Sequence, residues 1–255
     1  MKIKRLIPAL CMLLISAILL GTSTYAWFSM NTTVTATNMT IKATTSKNLM
    51  ISLNEATGYT ASVDMDVTSE NMRPASTIGG NIASPNFFII DSVGTEMTQD
   101  NYARGSDTTI KAAAASDYAK KTVYLKSIGD NATNLKAAIT KTDATSKEID
   151  KAIRVMLVVK NGDSYTSYIY SPVTGAAYGT AGKAVQSKDS SNKAVLGDIA
   201  TAATSGDTVI LASMTQDAAY QVDIYAWYEG EDTNCKATNT LDMDNYQFDV
   251  EFTVA

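Results

Sequence analysis

Histidine is missing altogether from this 255-residue chain. Its absence removes Ser-His-Asp and Cys-His catalysis, the HExxH metalloprotease arrangement and every histidine-ligated metal site. Cysteine is nearly missing too, with Cys11 inside an N-terminal apolar run and Cys235 close to the other end. If that run is removed no internal disulfide can form, so stability must come from a buried core. Cys235 is then either a free thiol or a point of pairing with a second molecule. A basic excess is also lacking, since 21 Lys and Arg stand against 26 Asp and Glu. That balance argues against nucleic acid or an anionic membrane face as a partner. Proline-rich linkers and fixed-period repeats are absent, which leaves a single folded unit. Without histidine only a carboxylate-pair hydrolase stays open to an enzyme, and spacing reveals no such pair. No catalytic residue, cofactor or enzymatic activity is expected.

What the chain does have begins with MKIKRLIPALCMLLISAILLGTSTYAWFSMN at residues 1–31. Lys2, Lys4 and Arg5 precede an apolar stretch, Leu6 to Leu20, broken only by Pro8 and Ser16, and Thr24-Tyr25-Ala26 offers small residues where a signal peptidase reads. Residues 1–26 therefore read as an export signal, cut between Ala26 and Trp27, with the chain from Trp27 onward secreted to the extracellular space or cell surface. A permanent anchor is the competing reading. Fifteen helical residues reach about 22 Å, short of a hydrocarbon core about 30 Å thick, although Gly21 to Phe28 could lengthen the span and end it in an aromatic edge. Contact with a membrane is expected only through the uncleaved signal. A lipoprotein fits less well, because Cys11 sits within the apolar run behind bulky Leu10.

Cleavage leaves 229 residues with 18 basic and 26 acidic side chains, the leader taking three basic residues and no acid. Short apolar runs separated by Thr, Ser, Asn and Asp read as many strands. In residues 27–45 the apolar phase flips near Asn38, so one bulged strand or two short ones are expected. Further strands are expected at 48–53, 86–90, 122–128, 135–139, 152–160, 164–170, 208–213, 220–228 and 246–254. Asn161-Gly162 marks a hairpin. AIRVMLVVK at 152–160 is apolar on both faces, as a strand inside a packed sandwich would be. Two stretches look irregular: 105–115, a loop or helical turn, and 175–206, a long loop that carries function or, more commonly, disorder, with weak helical content at 193–203. At the end of the chain Tyr246, Phe248, Val250, Phe252 and Val254 alternate with polar residues. Burying those five side chains contributes roughly 8 to 15 kcal/mol, against roughly 9 to 18 kcal/mol for ordering nine backbone residues. The segment cannot stand alone and must dock in a sheet. The fold expected is an all-β antiparallel sandwich over residues 27–255, with long loops and minor helix.

The strand at 220–228 runs into W-Y-E-G-E-D-T-N-C, Trp227 to Cys235. Gly230 reads as the turn residue at the strand's end. Together with T-Y-A-W-F-S-M-N at Thr24 to Asn31, this element resembles the family of exported proteins with a SipW-cognate class of signal peptide, which includes the TasA and camelysin (CalY) biofilm fibre proteins. The resemblance lies at the two ends of the chain, in the TYAWF-like opening and in an E-G-x-D-x-[DN]-C element formed here by Glu229, Gly230, Asp232, Asn234 and Cys235. It implies a jelly-roll-like sandwich, a dedicated signal peptidase as a processing partner, a Gram-positive source and homo-oligomeric assembly into extracellular fibres. In such fibres the freed N-terminal strand of one subunit completes the sheet of the next. Trp27, Phe28, Val34, Met39 and Ile41 supply the apolar anchors for that donor role. The same strand could instead pair within its own subunit.

Three other readings stay open. Glu231, Asp232, Asp242 and Asp244, with Asp64-Met65-Asp66 as a further fragment, are calcium candidates, but calcium needs six to eight oxygens and solvated turn acids are the simpler account. Trp227 shares a strand face with Asp223 and Tyr225, so an exposed aromatic row could stack on sugars, or the aromatics could cover the second face of a buried strand. The functional expectation is a structural matrix subunit that assembles by strand addition. The alternative is a monomeric surface binding domain for glycan or a host protein.

Overall fold

Two five-stranded sheets form the body of the protein. In the computed structural model, which describes residues 39–45, 48–67, 72–93, 108–142, 147–173, 183–235 and 247–255, they pack face to face. The first sheet runs, in spatial order, β13 (Val209–Met214), β8 (Ala132–Lys141), β15 (Gln247–Thr253), β1 (Met39–Thr45) and β3 (Ser62–Val67). The second runs β10 (Ser164–Tyr170), β9 (Ile153–Asn161), β14 (Ala219–Tyr228), β7 (Ala119–Ser127) and β2 (Leu49–Ser52). Neighbours in both sheets are antiparallel apart from β1 and β15, which are parallel, with Ile41 opposite Phe248 and Ala43 opposite Val250. The expected all-β sandwich is present. The signal segment with its cleavage position at Ala26, and the anchors Trp27, Phe28 and Val34, lie outside the described residues.

Period-two patterning explains which side chains enter the core. On β15 Phe248, Val250 and Phe252 are buried while Gln247 and Glu251 are exposed. On β1 Ile41 and Ala43 are buried and Lys42 is exposed, so the phase read after Asn38 holds. They meet Val155, Leu157, Val222, Ile224 and Leu125 from the second sheet in the main core.

The second sheet is covered on its other face as well. A small sheet of β4 (Ala75–Ser76), β5 (Phe88–Val93) and β6 (Thr108–Ala112) brings Ala75, Phe87 and Ile89 against Met156, Val158, Ile169, Tyr225 and Trp227. This third layer is why Ile153 to Val159 are buried without a break. Gly79 lies in the loop after β4 at φ 75°, where an added Cβ would come 2.8 Å from Ser167 Oγ on β10, so only glycine fits this approach.

Two expectations are corrected here, and one strand is new. Residues 105–115 were expected as a loop or helical turn, but the part described contains β6, which pairs with β5 because Ile110 has a core site to fill. The stretch 175–206 was expected disordered, with helical content at 193–203. Its described part, residues 183–206, contains instead a hairpin of β11 (Lys183–Lys188) and β12 (Ala194–Asp198), whose turn Asp189 caps by accepting the amides of Ser191 and Lys193 at 2.8 Å each. Strand β3 was not anticipated. Its SVDMDV alternation is short, but Met65 is 2% exposed and packs into the main core.

Tyr170 closes β10 with 1% exposure, and among the described residues its hydroxyl has no hydrogen-bond partner. Burial, with a smaller contribution from Tyr168, drives its ionisation far above the ordinary tyrosine range. An orphaned buried hydroxyl is a desolvation cost, so Tyr170→Phe should raise stability by about 1 kcal/mol, measured by urea unfolding.

Candidate functional site

The conspicuous concentration of buried polar groups lies where β14 leaves the second sheet. After Tyr228 the amide of Glu229 donates to Ala152 O at 2.8 Å, and that of Gly230 donates to Ala75 O at 2.8 Å. The chain is thereby tied to the 3-10 turn Glu148–Ala152 on one side and to β4 of the third layer on the other. Two tight turns follow, from Asp232 N to Glu229 O at 3.1 Å and from Cys235 N to Asp232 O at 2.9 Å. Glu229, Glu231 and Asp232 are each 0% exposed, and Cys235 is buried and outside any disulfide. The expectation of solvated turn acids is therefore wrong for Glu231 and Asp232. The third layer, which the sequence did not reveal, shuts water out.

Each carboxylate needs a partner once buried. Glu229 Oε2 accepts the Trp227 indole N–H at 3.0 Å, and its Oε1 accepts the Glu231 amide at 3.0 Å. The Ser76 hydroxyl also bonds this carboxyl, and Ser76 Oγ in turn accepts the amide of Val185 at 3.0 Å. Asp232 Oδ2 accepts from Arg154 Nη2, and Oδ1 accepts both the backbone and side-chain amides of Asn234 at 2.8 Å. Arg154 is itself 0% exposed and donates further to Lys151 O at 2.8 Å and Ile153 O at 2.9 Å. Close by, Lys141 of β8 pairs with Asp150 at 3.1 Å, anchoring the 3-10 turn to the first sheet.

All five positions of the late motif are thus brought together, around Arg154, Ser76 and Trp227. Sequence reasoning missed Arg154, although a lone cation in the doubly apolar run 152–160 was a signal that a carboxylate must meet it. Trp227 and Tyr225 are 0% and 2% exposed, and Phe87 meets Trp227 edge-on at 5.2 Å while stacking on Tyr118 at 4.2 Å. These aromatics cover a buried face, so the exposed sugar-stacking row does not exist at Trp227. Among the described residues no group of three or more Cys, Asp or Glu is arranged to hold a metal ion. Asp232, one calcium candidate, engages Arg154 and Asn234 instead; Asp242 and Asp244 lie outside the described residues. Of the donor-strand residues, Ile41 is described and fully buried, and Met39 is described in its backbone as the first residue of β1. Among the described residues no helix is long and apolar enough to cross a membrane.

The arrangement offers neither an open nucleophile nor solvent-facing acids. It is a lock that joins the end of β14, the 3-10 turn and the third layer. No family model matches the chain, and neither the curated proteins nor the solved structures contain a match to it.

Breaking one side of the buried pair leaves the other charge stranded. Arg154→Ala and Asp232→Asn should each cost about 3 to 5 kcal/mol in urea unfolding. Glu229 supplies a second test. Burial pushes its carboxyl above the ordinary glutamate value, opposed by bonds from Ser76, the Glu231 amide and Trp227 and by the charge of Arg154. Between the ordinary value and the raised one, the folded chain keeps a proton that the unfolded chain has released. This group's contribution to stability therefore falls as pH rises through that window and levels off above it. Urea midpoints taken across the window should fall less steeply in Glu229→Gln than in the parent.

Proposed function

We propose that this chain is an exported structural subunit of a bacterial cell surface or matrix, assembling with copies of itself by strand addition. The observation that carries the reading is the place of β1. It is the first described strand, yet it lies inside the first sheet between β15 and β3. Its partner across the parallel ladder is the last strand of the chain. If β1 leaves, β15 and β3 both lose a neighbour, and the slot matches the corresponding strand of a second copy.

Local chemistry favours such an exchange. Only residues 46–48 separate β1 from β2 in the other sheet, and Asn48 sits at φ 70°. Short hinges with unfavourable backbone are a recognised route to strand swapping. The leader at residues 1–26, with a signal peptidase as partner, would deliver the chain and free Trp27 as the start of the donor segment 27–45. Likeness to the TasA and camelysin fibre proteins at both chain ends supports the same reading. The runner-up is a monomeric surface binding domain, which lost its best-placed aromatic row with the burial of Trp227.

Negative-stain electron microscopy tests the proposal, with a chain beginning at Trp27 beside one beginning at Ser46. Filaments from the first and none from the second are expected. A synthetic peptide of residues 27–45 should bind the shorter chain and stop filament growth. Discrete monomers from a folded chain beginning at Trp27 would transfer the weight to the binding-domain reading.

A further inference from the structure

Two open sheets present four edges, and exposed edges invite pairing unless they are blunted. The edge at β2 is closed by the returning chain, where Ile51 and Thr60 exchange backbone hydrogen bonds of 2.8 Å. At β10 the segment after β12 closes the C-terminal end, with Ile169 N donating to Thr201 O at 2.8 Å and Ala203 N to Ile169 O at 2.9 Å. The β3 edge carries exposed Asp64, and a charge on an edge strand is a common guard against pairing. The fourth edge, β13, has neither a closing chain among the described residues nor a charged side chain. It pairs with β8 on one side, and among the described residues no backbone bond reaches it from the other. From Thr208 to Gln216 the sequence TVILASMTQ holds no charge and no proline, and Val209 is 38% exposed. One register irregularity lies between Val209 and Leu211, after which Leu211 to Met214 run in regular register.

We propose that β13 is a self-docking edge on which β13 of a second copy lies antiparallel, merging two copies of the first sheet into one. The partner follows from the chemistry of the edge. A strand paired antiparallel with its own copy makes a two-fold contact that closes on itself, so one uncharged strand is enough to build it. Copies of an acidic chain, with 26 acids against 21 bases, repel wherever charges face each other. The charge-free stretch is where that repulsion is weakest. Asp207 and Asp217 flank it and limit its length, so the contact is short and strengthens with added salt, opposite to an ion-paired interface. It also lies at the far end of the sheet from β1 and β3. Strand addition through β1 would leave it free, and lateral pairing through β13 does not depend on β1 exchange.

The test uses the chain from Trp27 with Ala212→Cys, an exposed position in a protein whose Cys235 is buried. A short bismaleimide is added at low and high salt, and products are read by mass spectrometry as peptides joining two copies of position 212. Asp64→Cys on the β3 edge is the control. The expected result is joined peptides from Ala212→Cys, increasing with salt and far exceeding those from the control. The companion variant Ala212→Lys should abolish dimers in sedimentation while keeping the parent's urea midpoint. Equal joining from both cysteine variants, a parent that stays monomeric at every concentration and salt, or dimers that survive Ala212→Lys would each overturn the proposal. Filaments without joined position-212 peptides would overturn it while leaving strand addition standing.

Discussion

The ion pair between Arg154 and Asp232 is the constraint around which the far side of the sandwich is arranged. Both side chains are 0% exposed, and a charge in such a place is tolerable only if its partner arrives and water stays out. The partner arrives because β14 ends beside β9, so the turn after Tyr228 lies next to Ile153, the residue opposite it in the ladder. Water stays out because β4 bonds to the same turn through Ala75, and Ser76 joins Glu229 to the β11–β12 hairpin through Val185. Separating the pair would strand a buried charge, so any arrangement that parts Arg154 from Asp232 is costly. The two turns from Glu229 to Cys235, with Trp227 at the end of β14, thereby decide where the third layer sits.

That third layer explains both what the sequence disclosed and what it hid. Strict alternation on β15 and phase on β1 were legible because one face of each looks into the main core. AIRVMLVVK was legible as a doubly buried strand, since nothing but burial on both sides makes seven successive residues inaccessible. What covers the second face was not legible. The covering strands are short, β4 has two residues, and they draw their order from contact with Trp227, Tyr225 and Met156 rather than from patterning of their own. For the same reason β6 and the β11–β12 hairpin looked like loop or weak helix; tertiary contact overrode local preference.

The late motif shows the same division. Its residues could be picked out by resemblance, but their state could not. Glycine, three acids, threonine, asparagine and cysteine in a row read as a solvated turn, and only Arg154, over seventy positions earlier in sequence, turns that composition into a buried network. A buried arginine in an apolar run is itself a question put to the rest of the chain, because a guanidinium has five donors and no way to shed its charge. Asking which acids sit at the end of a neighbouring strand would have found Asp232.

The pairing of β1 carries a further consequence for how the sheet closes. Its antiparallel contact with β3 is local, joining Thr44 to Ser62, whereas its parallel contact with β15 joins Thr40 to Gln247 and spans almost the whole chain. Contacts so distant in sequence form late, because the loop must close before they contribute anything. β15 meanwhile has β8 on its other side, with Val250 opposite Ile139, so that partner is not missed when β1 is late. Until β1 docks, one flank of β15 is open and lined by backbone groups with Phe248, Val250 and Phe252 beneath. Whichever strand reaches that flank first, from the same molecule or another, meets the same ladder and the same pockets for Ile41 and Ala43. Concentration would then decide between closure and exchange, and under the strand-addition proposal the monomer and the fibre differ in the origin of one strand and in little else.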